Sequence, residues 1–379
     1  VDWQTSSIKT ATFTAESGKG YFCNTTGGSF EVDLPAGTAG AIVSVQDYNN
    51  TFDSNSLTID PNGTEKINGG EAGGGIVLDK EGEGLTLVYV DSTVGWRSVQ
   101  DNDFADSGND FIIATGGTIT ECGNDKIHSF TGPGTFTVSR VHPCAANNLV
   151  SYTVVGGGGA GGNSNGGGGG AGGFREVVSP SAPYSGSPLN GYPTPGNRIT
   201  VTATAFPIAV GGGGTAGPST GTSVVSGSVS TFSTITGAAG GGGGSGYGPG
   251  PHNDGANGGS AGGGGTNGGC GGTGNTPPVT PAQGTNAGTA TPGSPHVGGG
   301  GATEAGFNYN APSCGSHGGA GATNSITGSP VARAGGGGGG SDPSRGDRPG
   351  GTGGGGMGKP GAAGVPGVAG TTNTGGGGG

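Results

Sequence analysis

The 379-residue sequence is poor in charged, aromatic and hydrophobic side chains. Charged residues make up 10% of the chain, aromatic residues 6% and hydrophobic residues 28%. A hydrophobic fraction this low cannot supply a conventional core along the whole length. No stretch approaches the roughly 18–20 apolar residues that cross a bilayer, so we expect no membrane insertion.

The few charges are unevenly distributed along the chain. The first 155 residues carry 7 basic and 19 acidic residues, whereas residues 156–379 carry 6 basic and 5 acidic ones. A nucleic-acid-binding surface needs a concentration of Lys and Arg on one face. The acidic front part and the nearly neutral rear part therefore argue against a nucleic-acid partner.

The residue types that perform catalysis or hold cofactors lack the required spacing. The five histidines show no HExxH or HxH pattern, and the five cysteines contain no CxxC pair, so we expect no zinc site. The sequence Gly358-Lys359-Pro360 breaks the phosphate-binding loop pattern, because proline cannot continue the helical cradle of N–H groups. We therefore predict a non-enzymatic protein without a cofactor and without a bound metal.

The cysteines leave the redox state open. In an oxidising compartment, the disulfides to test are Cys122 with Cys144 and Cys270 with Cys314. Free thiols in a protein folded in a reducing cytosol are the alternative.

Glycine is abundant, and 80 of the 101 glycines lie in residues 156–379. A run of five glycines cannot hold an α-helix or an ordinary strand, because each glycine loses much backbone entropy and buries no side chain. The runs are either flexible linkers or left-handed helices of the polyproline-II type, here called rods, whose amides must bond to neighbouring rods. The runs of four or more are 156–159, 166–170, 211–214, 240–244, 262–265, 298–301, 335–340, 353–356 and 375–379.

The segments between the runs favour a packed polyglycine-II bundle over a linker. Segments such as 152–155, 199–206 and 230–236 are β-branched and apolar, and linkers do not usually alternate with such segments. Other intervening segments are rich in Pro, Asn and Ser, which suits loops at both ends of short rods. Glycine at every third position in 358–370 matches the collagen pattern, but four triplets are too few, so we interpret the segment as another rod.

The front part predicts an all-β fold. Residues 1–100 contain about seven short strand-like segments separated by turn clusters, which indicate a β-sandwich or jelly-roll module whose core Trp96 caps. We expect the acidic and polar residues 101–109 to form a linker. Residues 110–379 are predicted to form one folding unit, a β-strand platform that carries the polyglycine-II bundle, with Phe206 and Phe232 closing the sheet from within the glycine-rich part. We expect almost no α-helix in the whole chain.

Distinctive side chains of the rear part concentrate in the predicted loops. Since glycine rods carry no side chains, recognition must come from loops at the rod ends. Tyr, His and Asn suit adaptable binding loops, and aromatic rings stack on sugar faces. The alternative is that these residues merely plug the ends of the bundle. The candidate receptor-binding residues are Tyr184, Tyr192, Tyr247, His252, Asn253, Asp254, Phe307, Tyr309 and His317.

Two parts of the sequence resemble a known family. The segments 111–118, 126–138 and 151–175 are similar to the glycine-rich domain of tailed-phage structural proteins, which are abundant in marine phages. The front part, with Asp2-Trp-Gln, Gly20-Tyr-Phe and Gly95-Trp96, resembles a module that precedes such domains in phage tail fibres. The resemblance implies a virion-borne or extracellular fibre protein, a homotrimer that contacts other virion fibre proteins. Its loops would bind a bacterial surface glycan or an outer-membrane protein.

Two other functions remain open at this stage. One is an extracellular filament or capsid-surface decoration subunit, in which the glycine bundle is a packing element and the loops are subunit contacts. The other is an ice-binding protein, which would need Thr or Ala regularly spaced on one flat face. The sequence shows no such regularity.

Overall fold

The structure is a computed structural model that describes residues 1–99, 112–123, 125–142, 145–216, 225–246, 251–266, 268–289, 296–308, 316–341, 346–359 and 365–379. The described residues form an all-β protein without α-helices, as predicted, with short 3-10 turns at Ala145–Asn148, Pro195–Asn197 and Pro251–Asn253. None of these helical segments could cross a bilayer. The chain divides into two compact units, Val1–Ile112 with Val141–Asn147 and Ile113–Arg140 with Asn148–Gly379. The predicted linker 101–109 lies outside the described residues.

The first unit consists of two sheets on a common hydrophobic core. One sheet has five strands in the order β1-β3-β5-β8-β9, and the other has four in the order β2-β4-β6-β7. The core includes Phe52 and Trp96, both fully buried, so Trp96 lies within the core that it was expected to cap. The strands are β1 (Asp2–Trp3), β2 (Phe13–Thr14), β3 (Lys19–Cys23), β4 (Phe30–Asp33), β5 (Ile42–Asp47), β6 (Leu57–Asp60), β7 (Ile76–Leu78), β8 (Gly84–Asp91) and β9 (Gly95–Ser98).

The strand pairing differs from that of a jelly roll. Successive strands from β1 to β6 alternate between the two sheets, so that β1, β3 and β5 pair in parallel and β2, β4 and β6 pair in parallel. Only the later strands β7, β8 and β9 pair antiparallel to their neighbours. The period-two pattern of the sequence identifies strands with one buried face, but both pairing directions produce that pattern.

The described part of the second unit contains thirteen short strands and the glycine runs. Its largest sheet has the order β10-β13-β18-β19-β20 with all pairs antiparallel, and four two-stranded sheets pair β11 with β12, β14 with β17, β15 with β16, and β21 with β22. The strands are β10 (Ile113–Thr115), β11 (Thr118–Cys122), β12 (Asp125–Ser129), β13 (Gly134–Arg140), β14 (Leu149–Val150), β15 (Tyr152–Val155), β16 (Phe174–Val177), β17 (Ile199–Thr200), β18 (Ala205–Ala209), β19 (Ser230–Phe232), β20 (Ile235–Gly237), β21 (Ala322–Asn324) and β22 (Val331–Arg333).

An aromatic cluster holds the five-stranded sheet together. The ring of Phe136 on β13 lies 6.3 Å from that of Phe206 on β18 and 5.9 Å from that of Phe232 on β19, measured between centroids. Phe206 and Phe232 are separated from β13 by glycine runs or loops, and they nevertheless complete its sheet. The strand platform and the glycine-rich segment therefore share one sheet, as the sequence suggested.

The glycine runs form a bundle of rods joined by backbone hydrogen bonds. In the buried central rod, residues 166–173, successive N–H groups point to three different neighbours and the pattern repeats every third residue. For example, the amides of Gly167, Gly170 and Gly173 donate to the carbonyls of Gly244, Gly241 and Ala238 at 2.9, 2.7 and 2.8 Å. Three further neighbours donate to the carbonyls of the central rod. The six neighbouring rods are 156–162, 238–244, 260–263, 297–300, 337–340 and 375–378.

The close approach of these rods explains why the central positions are glycine. A Cβ added to Gly168 would lie 2.1 Å from the carbonyl oxygen of Gly337, and one added to Gly169 would lie 2.2 Å from that of Gly159. None of the central glycines has a positive φ, in agreement with a left-handed, polyproline-II-type rod. Glycine is required here by lack of space, not by an unusual backbone conformation.

Candidate functional site

The bundle has two distinct ends. At one end the rods continue into β15, β16, β21 and β22, and we call this the strand end. We call the other end the loop end. The central rod begins there, beside the final residues of rods 156–162 and 238–244. A rod of eight residues is about 25 Å long at about 3.1 Å per residue, so residues at opposite ends cannot share one small-molecule site.

The predicted binding residues are divided between these two ends. Tyr184 and Tyr192 follow β16 and lie at the strand end. Tyr247 and Tyr309 lie outside the described residues. The remaining candidates lie at the loop end, and they are His252, Asn253, Asp254, Phe307 and His317.

The segment 252–254 is bonded to the ends of two rods. The amide of Ser245 donates to the carbonyl of His252, and the amide of Gly265 donates to that of Asn253, both at 2.8 Å. The Oδ1 of Asp254 accepts from the amide of Cys270 at 2.7 Å. Asn253 is buried, His252 is half-buried and Asp254 is exposed. A ligand at this end could therefore reach the side chains of His252 and Asp254.

Phe307 and His317 form a second group at the loop end. Their ring centroids are 5.8 Å apart, and the amide of Phe307 donates to the carbonyl of His317 at 3.0 Å. The carbonyl of Phe307 in turn accepts from the amide of Gly298. Phe307 is 45% exposed even though its backbone is fixed on both sides. Its ring is therefore an apolar surface open to solvent on a backbone that is hydrogen-bonded on both sides.

A charged pair lies at the same end of the bundle. The Nζ of Lys359 lies 2.5 Å from Oδ2 of Asp347, and the backbone of Arg348 pairs with that of Gly358. The loop end also includes the described residues on either side of five further segments, 247–250, 290–295, 309–315, 342–345 and 360–364. The described part of the loop end thus combines aromatic, imidazole and charged groups.

The two strand-end tyrosines are engaged within the protein. The guanidinium of Arg198 lies 4.3 Å from the ring centroid of Tyr192, and its Nε donates to the carbonyl of Tyr192 at 2.8 Å. Tyr184 is half-buried, and desolvation by burial raises the pKa of its hydroxyl. At these two positions the alternative interpretation, in which the residues plug the end of the bundle, agrees with the structure.

A buried polar network at the strand end was not recognised in the sequence. The carboxylate of Glu176, which is 2% exposed, accepts from the amide and hydroxyl of Ser187 at 2.8 and 2.5 Å and from Nδ2 of Asn324 at 2.6 Å. Nη1 of Arg333 donates to Oδ1 of Asn324. Desolvation lowers the pKa of Arg333, and the negative charge of Glu176 opposes that shift. The network connects β16 with the β21–β22 hairpin, which indicates a structural role.

A second part of this network anchors the long loop after β16. Nη2 of Arg175 donates to Oδ1 of Asn197 at 2.6 Å, and the hydroxyl of Tyr152 donates to the carbonyl of Asn197 at 2.6 Å. Nδ2 of Asn197 donates to the carbonyls of Gly191 and Thr280. In the sequence, the pair Arg175-Glu176 stands two residues after Gly173 within an otherwise apolar strand-like segment, and the structure buries every residue of that strand.

The cysteines among the described residues are free thiols. Cys122 and Cys270 are exposed and unbonded, and their predicted disulfide partners, Cys144 and Cys314, lie outside the described residues. Cys23 is a buried thiol, and burial raises its pKa to about 12. Among the described residues there is no group of three or more His, Cys, Asp or Glu side chains that could hold a metal ion.

The comparison with known families decides how the larger unit is classified. A family model described as a glycine-rich domain matches residues 128–379. The chain belongs to this glycine-rich domain family. The matched region of the glycine-rich domain begins within β12 and includes the bundle, the strand-end network and both groups at the loop end. No curated protein matches the sequence.

Proposed function

We propose that this glycine-rich domain protein is a receptor-binding component of a phage tail fibre that attaches to the surface of a bacterial cell. It would be located on the virion, assemble as a homotrimer with other fibre proteins and act without catalysis. The resemblance of the front and rear parts of the sequence to fibre proteins supports this assignment. The ligand class is a surface glycan or an outer-membrane protein.

The observation that carries the proposal is the way the loop end is held. The central rod is bonded to six neighbours, so the rods that end beside it occupy fixed positions. The ring of Phe307 is exposed beside His317, and Asp254 is exposed beside His252. A rigid support with exposed aromatic and hydrogen-bonding groups loses little conformational entropy when it binds a ligand.

The first prediction concerns the aromatic ring at the loop end. We expect Phe307→Ala to weaken the binding of fluorescently labelled protein to susceptible cells by about tenfold or more, since exposed aromatic anchors dominate binding energies. The substitution leaves the backbone hydrogen bonds of residue 307 in place. Binding would be measured by flow cytometry against a panel of marine bacteria.

Tyr192→Ala is the matched control, because Tyr192 is an aromatic residue at the opposite end of the same bundle. It should leave cell binding unchanged. Loss of binding with Tyr192→Ala and full binding with Phe307→Ala would place the receptor site at the strand end and refute the proposal for the loop end.

One observation favours the second function, a filament or decoration subunit. Residues 365–370 form a rod at the surface of the bundle, and the side chains of Val365 and Val368 are exposed on it. The amide of Val368 donates to Met357 and its carbonyl accepts from Gly379. In a filament this surface would contact the next subunit. Concentration-dependent polymerisation in light scattering would support this function, and a discrete particle would support the fibre.

A further inference from the structure

Three aromatic side chains form a row on the first unit, which we call the aromatic row. Trp3 belongs to β1, Phe22 belongs to β3, and Tyr48 directly follows β5. The ring centroids of Trp3 and Phe22 are 5.0 Å apart, and those of Phe22 and Tyr48 are 6.5 Å apart. Trp3 is 39% exposed and Tyr48 is 53% exposed, while Phe22 is half-buried between them.

The strand register places the row on the outer face of the five-stranded sheet. Tyr21 and Cys23 of β3 belong to the core, so the side chain of Phe22 between them points away from it. Trp3 pairs with Gly20, which lies on the same face as Phe22. The amide of Tyr48 donates to the carbonyl of Cys23 and continues the β3–β5 ladder.

Gly20 allows the indole of Trp3 to lie close against the sheet. A Cβ added to Gly20 would lie 2.7 and 2.8 Å from two carbon atoms of the indole ring. The indole thus covers the backbone of Gly20 with one face, and its other side contributes to the exposed surface. Gly20 has no positive φ, so its role is to leave space for the ring.

Small polar side chains lie beside the aromatic row on the same face. In the register of the sheet, Gly20 pairs with Ser44 and Ser44 pairs with Thr86, and the hydroxyls of Ser44 and Thr86 are 2.9 Å apart. Phe22 pairs with Gln46, whose Nε2 donates to the carbonyl of Gly82. The surface therefore has aromatic rings along one side and the half-buried side chains of Thr86 and Gln46 along the other, whereas Ser44 is buried.

We propose that this face of the first unit binds a neutral glycan. A pyranose ring has an apolar face of C–H groups and a rim of hydroxyls, so it can stack on Trp3 and Tyr48 while its hydroxyls bond to groups such as Gln46. The residues 1–99 carry 5 basic and 13 acidic residues, a net charge of −8, which disfavours anionic sugars. The site lies in the first unit and does not depend on the proposal for the loop end.

The test is isothermal titration calorimetry of the full chain with cellohexaose, maltohexaose and mannohexaose, and with oligogalacturonate as an anionic probe. We expect saturable binding of at least one neutral hexasaccharide, with Kd raised about tenfold by Trp3→Ala or Tyr48→Ala, because each removes one stacking ring. Gly20→Ala should weaken binding similarly, since its Cβ displaces the indole. Val77→Ala is the control, because Val77 is an exposed side chain on β7 of the other sheet, and it should leave sugar binding unchanged.

Indole fluorescence of the unmodified protein gives a second measurement that requires no variant. The chain has two tryptophans, and Trp96 is fully buried. A sugar-dependent blue shift would therefore come from Trp3. The proposal is overturned if none of the three neutral hexasaccharides binds, if only oligogalacturonate binds, or if binding persists unchanged in both Trp3→Ala and Tyr48→Ala.

Discussion

Replacing Gly168 with alanine is expected to destabilise the glycine bundle by about 3 kcal/mol or more. The new Cβ would lie 2.1 Å from the carbonyl oxygen of Gly337, and two bonded rods would have to move apart. The amide of Gly168 donates to Val297 and its carbonyl accepts from Gly263, so the movement would strain hydrogen bonds to two further rods. In a unit of this size the loss corresponds to a fall in Tm of roughly 6–12 °C, which calorimetry would detect.

Gly212→Ala is the matched control for this prediction. Gly212 also lies in a glycine run, but no heavy atom lies within 4 Å of an added Cβ and its φ is not positive. Alanine restricts the unfolded chain, so this variant should be as stable as the parent or more stable by up to about 1 kcal/mol. Equal destabilisation by both substitutions would contradict the packing that we describe.

Removing the carboxylate of Glu176 is expected to have the second largest effect. Glu176→Ala leaves the amide of Ser187 and Nδ2 of Asn324 without this acceptor, and it removes a negative charge near Arg333. Breaking such a buried network by removing one member costs about 3 kcal/mol. Urea unfolding of the full chain, followed by a signal from the second unit, would measure the loss.

An exposed glutamate provides the comparison. The Oε1 of Glu121 lies 3.8 Å from Nζ of Lys126, and both side chains are largely exposed, so Glu121→Ala should change the stability by less than about 0.5 kcal/mol. If Glu176→Ala were as mild as Glu121→Ala, the network would not stabilise the strand end.

The glycine bundle was predictable because glycine leaves few structural choices. The runs exclude helices and ordinary strands, and the β-branched segments between them favour a packed state over a linker. The sequence also placed Phe206 and Phe232 in the sheet that begins before the first run, and their contacts with Phe136 confirm this. It could not predict which rods are neighbours, because any glycine run can bond to any other.

The topology of the first unit could not be predicted from the same kind of pattern. The alternation in β3 and β5 identifies their buried faces, yet it does not distinguish a parallel pair from an antiparallel one. Each strand from β1 to β5 is followed by a strand of the other sheet, an order that the pattern of buried positions does not reveal.

The candidate site was predicted only in part. The expectation that distinctive side chains lie at rod ends agrees with the positions of His252 and Phe307, but Tyr184 and Tyr192 lie at the opposite end. Which end a loop occupies depends on the number and direction of the rods before it, and rod boundaries inside a glycine-rich sequence carry no signal. The roles of Glu176 and Asn324 could not be foreseen because they are 148 residues apart in the chain.

Hydrogen exchange of the backbone amides tests the central claim most directly, namely that rods of the glycine bundle are held by hydrogen bonds to one another. We expect slow exchange throughout residues 167–173, whose amides are bonded to neighbouring rods, and faster exchange at the exposed Gly212 and Gly213. Fast exchange throughout residues 156–379 would mean that the runs are flexible linkers. The runs would then form no bundle. The rigid loop end, on which the proposed function rests, would not exist either.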